Sequence, residues 1–213
     1  MPNGSEHMLA LYRQVRRLTK NQETHTWDRF LPYVLENRLV AILGLGAIAE
    51  HMARCFRALG MTVYGISRTN RKIEGIDKVF SRAELTEAVK DVDFLIALVP
   101  FNPETHNIID AKVFYAMKPS ACLINVARGG VVDEAALIDA LKNGEISGAG
   151  LDVFEESPLP DNSPLWDMEN VFITPFTGGR SDKYAERILT VIEPNIRAFI
   201  DGTTKYMKNI VQL

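Results

Sequence analysis

Two cysteines, Cys55 and Cys122, are all the thiol the chain carries, and neither stands at metal-ligand spacing from a histidine. That excludes a disulfide scaffold and a cysteine-rich zinc module. Each cysteine falls in a predicted helix or strand, where it behaves as a small hydrophobe. Reduced thiols of this kind lead us to expect a cytoplasmic protein. Long apolar runs are missing as well. No N-terminal apolar region resembles a signal sequence, and no uninterrupted run is long enough to cross a bilayer, so no membrane partner is expected. An excess of one sign of charge is lacking: the formal net charge is −3, which gives no electrostatic case for binding nucleic acid. Arg13, Arg16, Arg17 and Lys20 form the one basic cluster that stands out, and their helical spacing reads as a solvated helix face. Internal repeats and low-complexity tracts are absent.

What remains is an ordinary globular composition, 46% hydrophobic, in a chain long enough for one well-filled core or for one domain plus an appendage. Met8, Leu11, Tyr12, Val15 and Leu18 recur on one face of a predicted helix over 8–18. Asn21 to Asn37 loses the period and reads as a connector. Leu39–Leu43 is then a short, wholly apolar run, the signature of a parallel strand buried on both faces. From there strand-like and helix-like segments alternate. A helix over Ala47–Leu59 ends at Gly60, and strands follow at Thr62–Ile66 and Asp93–Leu98. Ser81-Arg82-Ala83-Glu84 is a capping box that opens another helix. Further strands fall at Cys122–Val126, Gly148–Val153 and Val171–Ile173. Asp133 caps a helix that Gly144 ends, and Ser181–Ile200 closes the series. The alternation predicts an α/β fold, a doubly wound parallel sheet of Rossmann type.

Gly44-Leu45-Gly46-Ala47-Ile48-Ala49 follows the first strand and opens a helix. In that context the glycines have a mechanism. Gly44 permits the tight turn, and Gly46 lets the backbone approach a pyrophosphate. Ala49 lets helix and strand pack closely, and the N–H groups of Ala47 and Ile48 face the anion. An NAD site usually adds an acidic residue at the end of the second strand to hold the ribose 2′-OH. Here that strand ends Ser67-Arg68-Thr69-Asn70-Arg71-Lys72, with no acid. Ser67, Arg68 and Thr69 are suited to a 2′-phosphate, with Arg71 and Lys72 adding positive charge. The preferred cofactor is therefore NADP, with NAD as the alternative; a plain basic surface loop is the competing reading of these residues.

Several longer motifs carry a resemblance. Ile124-Asn125-Val126-Ala127-Arg128-Gly129-Gly130, Gly148-Ala149-Gly150-Leu151-Asp152-Val153-Phe154, Thr174-Pro175, and Val99-Pro100 with Pro103-Glu104-Thr105 are similar, in order, to the D-isomer-specific 2-hydroxyacid dehydrogenases. The likeness runs from Ser5 to the C-terminus. It implies hydride transfer between a nicotinamide cofactor and a small 2-keto or 2-hydroxy acid. It further implies Arg128 as the substrate arginine and a nicotinamide pocket built from Val99, Pro100, Thr105, Val126, Ala127, Arg128, Asp152, Gly178 and Gly179. No metal is implied. A homodimer formed through the nucleotide domain and the N-terminal helix is.

Three departures qualify the resemblance. The family's acid/base histidine, after Thr174-Pro175, is Phe176 here, and the glutamate that orients it is Ser157. Neither can move a proton, which leads us to expect impaired catalysis. Of the four histidines, His7 and His25 precede the nucleotide core in sequence and His51 lies on the phosphate-side helix, which leaves His106 as the candidate substitute. The family's first, substrate-binding domain is also expected to be largely missing, its last helix surviving at the N-terminus with an apolar face to cover. The expected plan is residues 1–36 as crossing helix and connector, 37–200 as the nucleotide-binding domain and 201–213 as a tail. A non-enzymatic NADP(H)-reading or interaction module, or a truncated gene product, stands as the alternative to an oxidoreductase.

Overall fold

A seven-stranded sheet organises residues 1–178, the first of two compact units; residues 179–213 form the second. The computed structural model describes residues 4–69 and 73–210, so Arg71 and Lys72 lie outside the described residues. The strands are β1 (Leu39–Leu43), β2 (Thr62–Ser67), β3 (Lys78–Ser81), β4 (Phe94–Ala97), β5 (Cys122–Asn125), β6 (Gly148–Leu151) and β7 (Val171–Ile173). They lie in the order β3-β2-β1-β4-β5-β6-β7, and every neighbouring pair is parallel. The Rossmann-type reading of the sequence is what the chain adopts.

Strand pleating divides the core into two layers. Val40, Ile42, Val63, Phe94, Ile96 and Ile124 face one side and pack on α1 (Gly4–Tyr12) and α3 (Ala47–Ala58). Ala41, Leu43, Leu95, Leu123, Ala149 and Leu151 face the other, beneath α4 (Leu85–Ala88), α5 (Ala111–Ala116) and α6 (Glu134–Asn143). Alternate residues of one strand thus feed opposite layers, which is why the strands read as unbroken apolar runs.

The N-terminal segment departs from the sequence reading in three respects. The stripe of residues 8–18 is two helices, α1 and α2 (Val15–Glu23), broken where Gln14 turns left-handed at φ 51°. The apolar period continues across the break and hides it. Asn21–Glu23, read as connector, is the last turn of α2. Most importantly, the apolar face of α1 is not left bare. The connections from β4 to β5 and from β5 to β6 place α5 and α6 on one face of the sheet, and α1 covers the other over β5, β6 and β7. Met8 and Tyr12 are buried there. An uncovered helix is therefore no ground for expecting a dimer.

β6 is shaped for this helix. A Cβ at Gly150 would lie 2.5 Å from the His7 Cβ, and one at Gly148 would lie 2.7 Å from the Asn170 carbonyl oxygen and 3.4 Å from Leu11 Cδ2. Gly150 lets α1 settle directly on the strand, Gly148 makes room for the backbone just before β7, and Ala149 between them fills the opposite layer.

In the second unit, α7 (Tyr184–Ile200) is tied to the following segment by Asn195. Its amide donates to the Lys208 carbonyl at 2.8 Å and accepts from the Lys208 N–H at 2.8 Å. No helix among the described residues is long and apolar enough to cross a membrane.

Candidate functional site

The strand order turns around between β1 and β4, and at such a switch point open α/β sheets hold their ligands in the crevice outside the carboxyl ends of the strands. Almost every residue singled out from the sequence lies on this one edge. Gly44 and Gly46 follow β1, Ser67 ends β2, and Arg68 and Thr69 come next. Val99, Pro100 and Thr105 follow β4; Val126, Ala127 and Arg128 follow β5; Asp152 follows β6; Gly178 follows β7. Gly179 is the first residue of the second unit.

Gly44 has φ +104°, and a Cβ there would lie 2.8 Å from the Leu98 carbonyl carbon and the Val99 nitrogen. Only glycine can make this turn without displacing the backbone just after β4. Gly46 is the N-cap of α3, with no side-chain cap, and a Cβ there would meet nothing within 4 Å. The first-turn N–H groups of Ala47 and Ile48 have no helical acceptor and stand beside open space. A pyrophosphate fits this cradle: it supplies acceptors and negative charge where the helix dipole is positive.

At the β2 end, the Thr69 N–H donates to Ser67 Oγ at 3.2 Å, a local turn that projects Arg68 outward. Arg68 Nη1 lies 3.3 Å from Glu104 Oε2, and Arg82 Nη1 lies 3.6 Å from the same oxygen. Arg82 stands here because β3 pairs with β2 so that Ser81 is opposite Ser67. Ser81 N–H and Oγ–H both donate to Glu84 Oε2, which holds the turn and keeps the Glu84 carboxyl below the usual range. The sequence reading missed Arg82 because it missed β3; the capping box was its only trace.

At the other end of the crevice, Asn125 shapes the β5 turn. Its amide donates to the Arg128 carbonyl at 3.1 Å and accepts from the Ala127 N–H at 3.2 Å. Arg128 is exposed, and its Nη1 donates to the Ala127 carbonyl at 2.7 Å. Thr105 is fully buried, its hydroxyl donating to the Pro100 carbonyl at 2.6 Å, so it braces the loop from within. Phe101 lies over Gly130 and meets the His106 ring edge-on at 5.8 Å.

Asp152 is buried and clasps the segment after β7. Its Oδ1 accepts from the Thr174 hydroxyl at 2.5 Å and the Thr177 N–H at 2.8 Å, and its Oδ2 accepts from the Gly178 N–H at 2.8 Å. Thr174 Oγ1 is also 3.0 Å from His7 Nε2. His7, set aside in the sequence reading because it precedes the nucleotide core, is thus fully buried within that core and braces the site from beneath. Phe176 stands at the mouth of this segment, 58% exposed, with φ +54°. Ser157 is exposed on the loop after β6. His25 and His51 are exposed and lie before β1 and on α3. Among the described residues no group of three or more metal-ligating side chains is placed to hold a metal ion.

Known proteins resemble this chain in sequence and fold. The sequence profile of the family described as D-isomer specific 2-hydroxyacid dehydrogenase, NAD binding domain, matches residues 5–178. The chain is 36% identical over 204 residues to a glyoxylate reductase of Pyrococcus furiosus, covering 92% of this chain and 60% of that protein. It is 33% identical over 212 residues to a D-3-phosphoglycerate dehydrogenase of Methanocaldococcus jannaschii, covering 97% and 39%. The chain thus spans about half the length of the curated relatives it matches. Among solved structures, a D-isomer specific 2-hydroxyacid dehydrogenase family protein of Aeromonas salmonicida superposes with a TM-score of 0.90 at 33% identity, covering 100% of this chain and 67% of that one. An NADPH-dependent glyoxylate/hydroxypyruvate reductase of Sinorhizobium meliloti, in complex with NADP and sulfate, gives 0.85 at 32%, covering 98% and 66%.

Proposed function

Because the chain belongs to the D-isomer specific 2-hydroxyacid dehydrogenase family, we propose that it holds NADP(H) along the carboxyl edge of its sheet. It serves as the cofactor-binding part of an oxidoreductase acting on a small 2-keto or 2-hydroxy acid. The observation that carries this reading is the open side of Gly46 at the uncapped start of α3, at the switch point of the sheet. Ala47 and Ile48 offer their N–H groups to the pyrophosphate, and Ser67, Arg68 and Thr69 take the 2′-phosphate. Val99 and Pro100, with Val126, Ala127 and Asp152, wall the nicotinamide end, and the exposed Arg128 receives the carboxylate of the acid. The cofactor, when bound, supplies or accepts the hydride. A basic residue in place of an acid at the β2 end supports NADP over NAD, as does the NADP held by the S. meliloti relative.

Proton transfer is the weak half of the site. Phe176 has no ionisable group, and Ser157 cannot orient one. We therefore propose that binding is retained while turnover is reduced. Loss of an acid/base group lowers rate by about 10²–10⁴-fold. NADPH oxidation with glyoxylate, hydroxypyruvate and pyruvate, run on this chain and on the Phe176→His, Ser157→Glu double variant, tests this. A rise of that order in the double variant supports the reading, and equal rates in the two proteins contradict it.

We also propose that the chain forms a homodimer. The support is a segment rather than the buried α1: Trp27 and Leu31 are 93% and 92% exposed, and Val34 is exposed beside them. Arg17 fixes this segment by stacking on Phe30 and pairing with Asp28. A monomer by light scattering would contradict the proposal.

A further inference from the structure

The two guanidinium groups that share Glu104 have a use that the glycine cradle does not cover. Arg68 comes from the end of β2, and Arg82 from the turn just after β3. Both point at one carboxylate oxygen, at 3.3 and 3.6 Å. Their situations differ. The Arg68 side chain is 68% exposed and that of Arg82 only 21%, while the Glu104 side chain between them is 63% exposed. Arg82 Nε is buried and has no hydrogen-bond partner among the described residues. A buried donor without an acceptor is costly, and one at a charged fork points to an acceptor that arrives with a ligand. Glu104 reaches one arm of the Arg82 fork and leaves the other unmet. A phosphate monoester, with three oxygens and a charge near −2, can accept from Nε–H and Nη–H together and still pair with Arg68.

We propose that Arg82 is a second guanidinium for the 2′-phosphate of NADP(H), and that Glu104 is a built-in carboxylate that occupies the phosphate position and must swing aside. This rests on the reading of the β2 end as a 2′-phosphate site. Glu104 competes weakly. An exposed carboxylate pair of this kind contributes little, and water is ready to solvate it once released. The phosphate gains two charge-assisted partners, one of them largely shielded from solvent. NADH has no 2′-phosphate and leaves Glu104 in place. The Glu104–arginine pair thus sets the margin between the two cofactors: it lowers NADPH affinity somewhat and leaves NADH affinity as it is.

The test is equilibrium titration of the whole chain with NADPH and with NADH, for the wild type and for the R68Q, R82Q and E104Q variants. E104Q should tighten NADPH binding about 2–5-fold and leave NADH unchanged, since it removes a surface-exposed competitor. R82Q should weaken NADPH at least about 10-fold, as expected for a lost hydrogen bond to a charged group, again without effect on NADH. NADH binding serves in each case as the control for a folded site. If R68Q lowers the NADPH preference while R82Q and E104Q leave it unmoved, the clasp is wrong and the underlying reading stands. If R68Q also has no effect, the 2′-phosphate reading itself fails. If E104Q weakens NADH, Glu104 is a ribose hydroxyl ligand and the proposed competition is overturned.

Discussion

Phe176 sits at φ +54°, a conformation that glycine and asparagine tolerate and a bulky side chain does not favour. Its N–H is shared between the carbonyls of Asp152 and Thr174, both at 3.1 Å, and Asp152 holds Thr177 and Gly178 beyond it. The surrounding clasp thus dictates the backbone, and the side chain, more than half exposed, contributes little burial in return. Phe176→Asn should raise stability by about 1 kcal/mol, read as a shift in urea midpoint at constant slope; a loss of stability would mean that the ring packs usefully after all. Cys122 tests the interior differently. Burial pushes its thiol up to about 11, so it stays protonated and closed to reagents at pH 8.5. Iodoacetamide should label the partly exposed Cys55 and spare Cys122, and equal labelling of both would show that the core opens readily. Residue identities were legible in the sequence wherever a motif fixed them: Gly44, Gly46, Arg128 and Asp152 all stand on the predicted edge. His7 and Arg82 were not, because each acquires its role from a partner more than a strand away.

The elements that the sequence revealed are those buried on both faces. β1 and β4 are wholly apolar, and β5 is apolar up to Asn125, so these runs need no tertiary context to be recognised. β3 escaped notice because it is an edge strand of four residues, Lys78-Val79-Phe80-Ser81, with only Phe80 buried. α5 is six residues long and too short to show a helical period. The glycines of β6 looked like a family motif, and the structure gives them separate causes: Gly150 the docking of α1, Gly148 the close pass of the Asn170 backbone. Gly150→Ala should therefore cost about 1–3 kcal/mol through overpacking against His7, measured by chemical unfolding. A neutral effect would mean that α1 can lift without penalty. Asp133 caps α6 by accepting from the Ala136 N–H at 3.0 Å, so Asp133→Ala should cost about 1 kcal/mol. The Glu84 capping box has a pH signature. Its carboxyl is lowered by the Ser81 hydroxyl and amide, so the folded state binds fewer protons than the unfolded one. The stabilisation is then complete above the ordinary carboxylate range and disappears as pH falls through the lowered folded value. Glu84→Gln should flatten that part of the acid limb.

At the scale of the whole molecule, a parallel sheet with one reversal of order gathers the ends of six strands onto one crevice, and the glycine turn marks where it begins. This much followed from strand-helix alternation alone. The break between α1 and α2 and the covering of the sheet by α1 did not, since both depend on packing that a one-dimensional period cannot report. The division between a preserved nucleotide cradle and an altered proton-transfer pair is the central claim, and binding is where it is most exposed to test. In an equilibrium titration of the unmodified chain, NADPH should bind saturably and at least about 10-fold more tightly than NADH. Gly46→Val, which puts a branched side chain into the open cradle, should abolish both. Binding of NADH as tight as that of NADPH, or binding that survives Gly46→Val, would contradict the account.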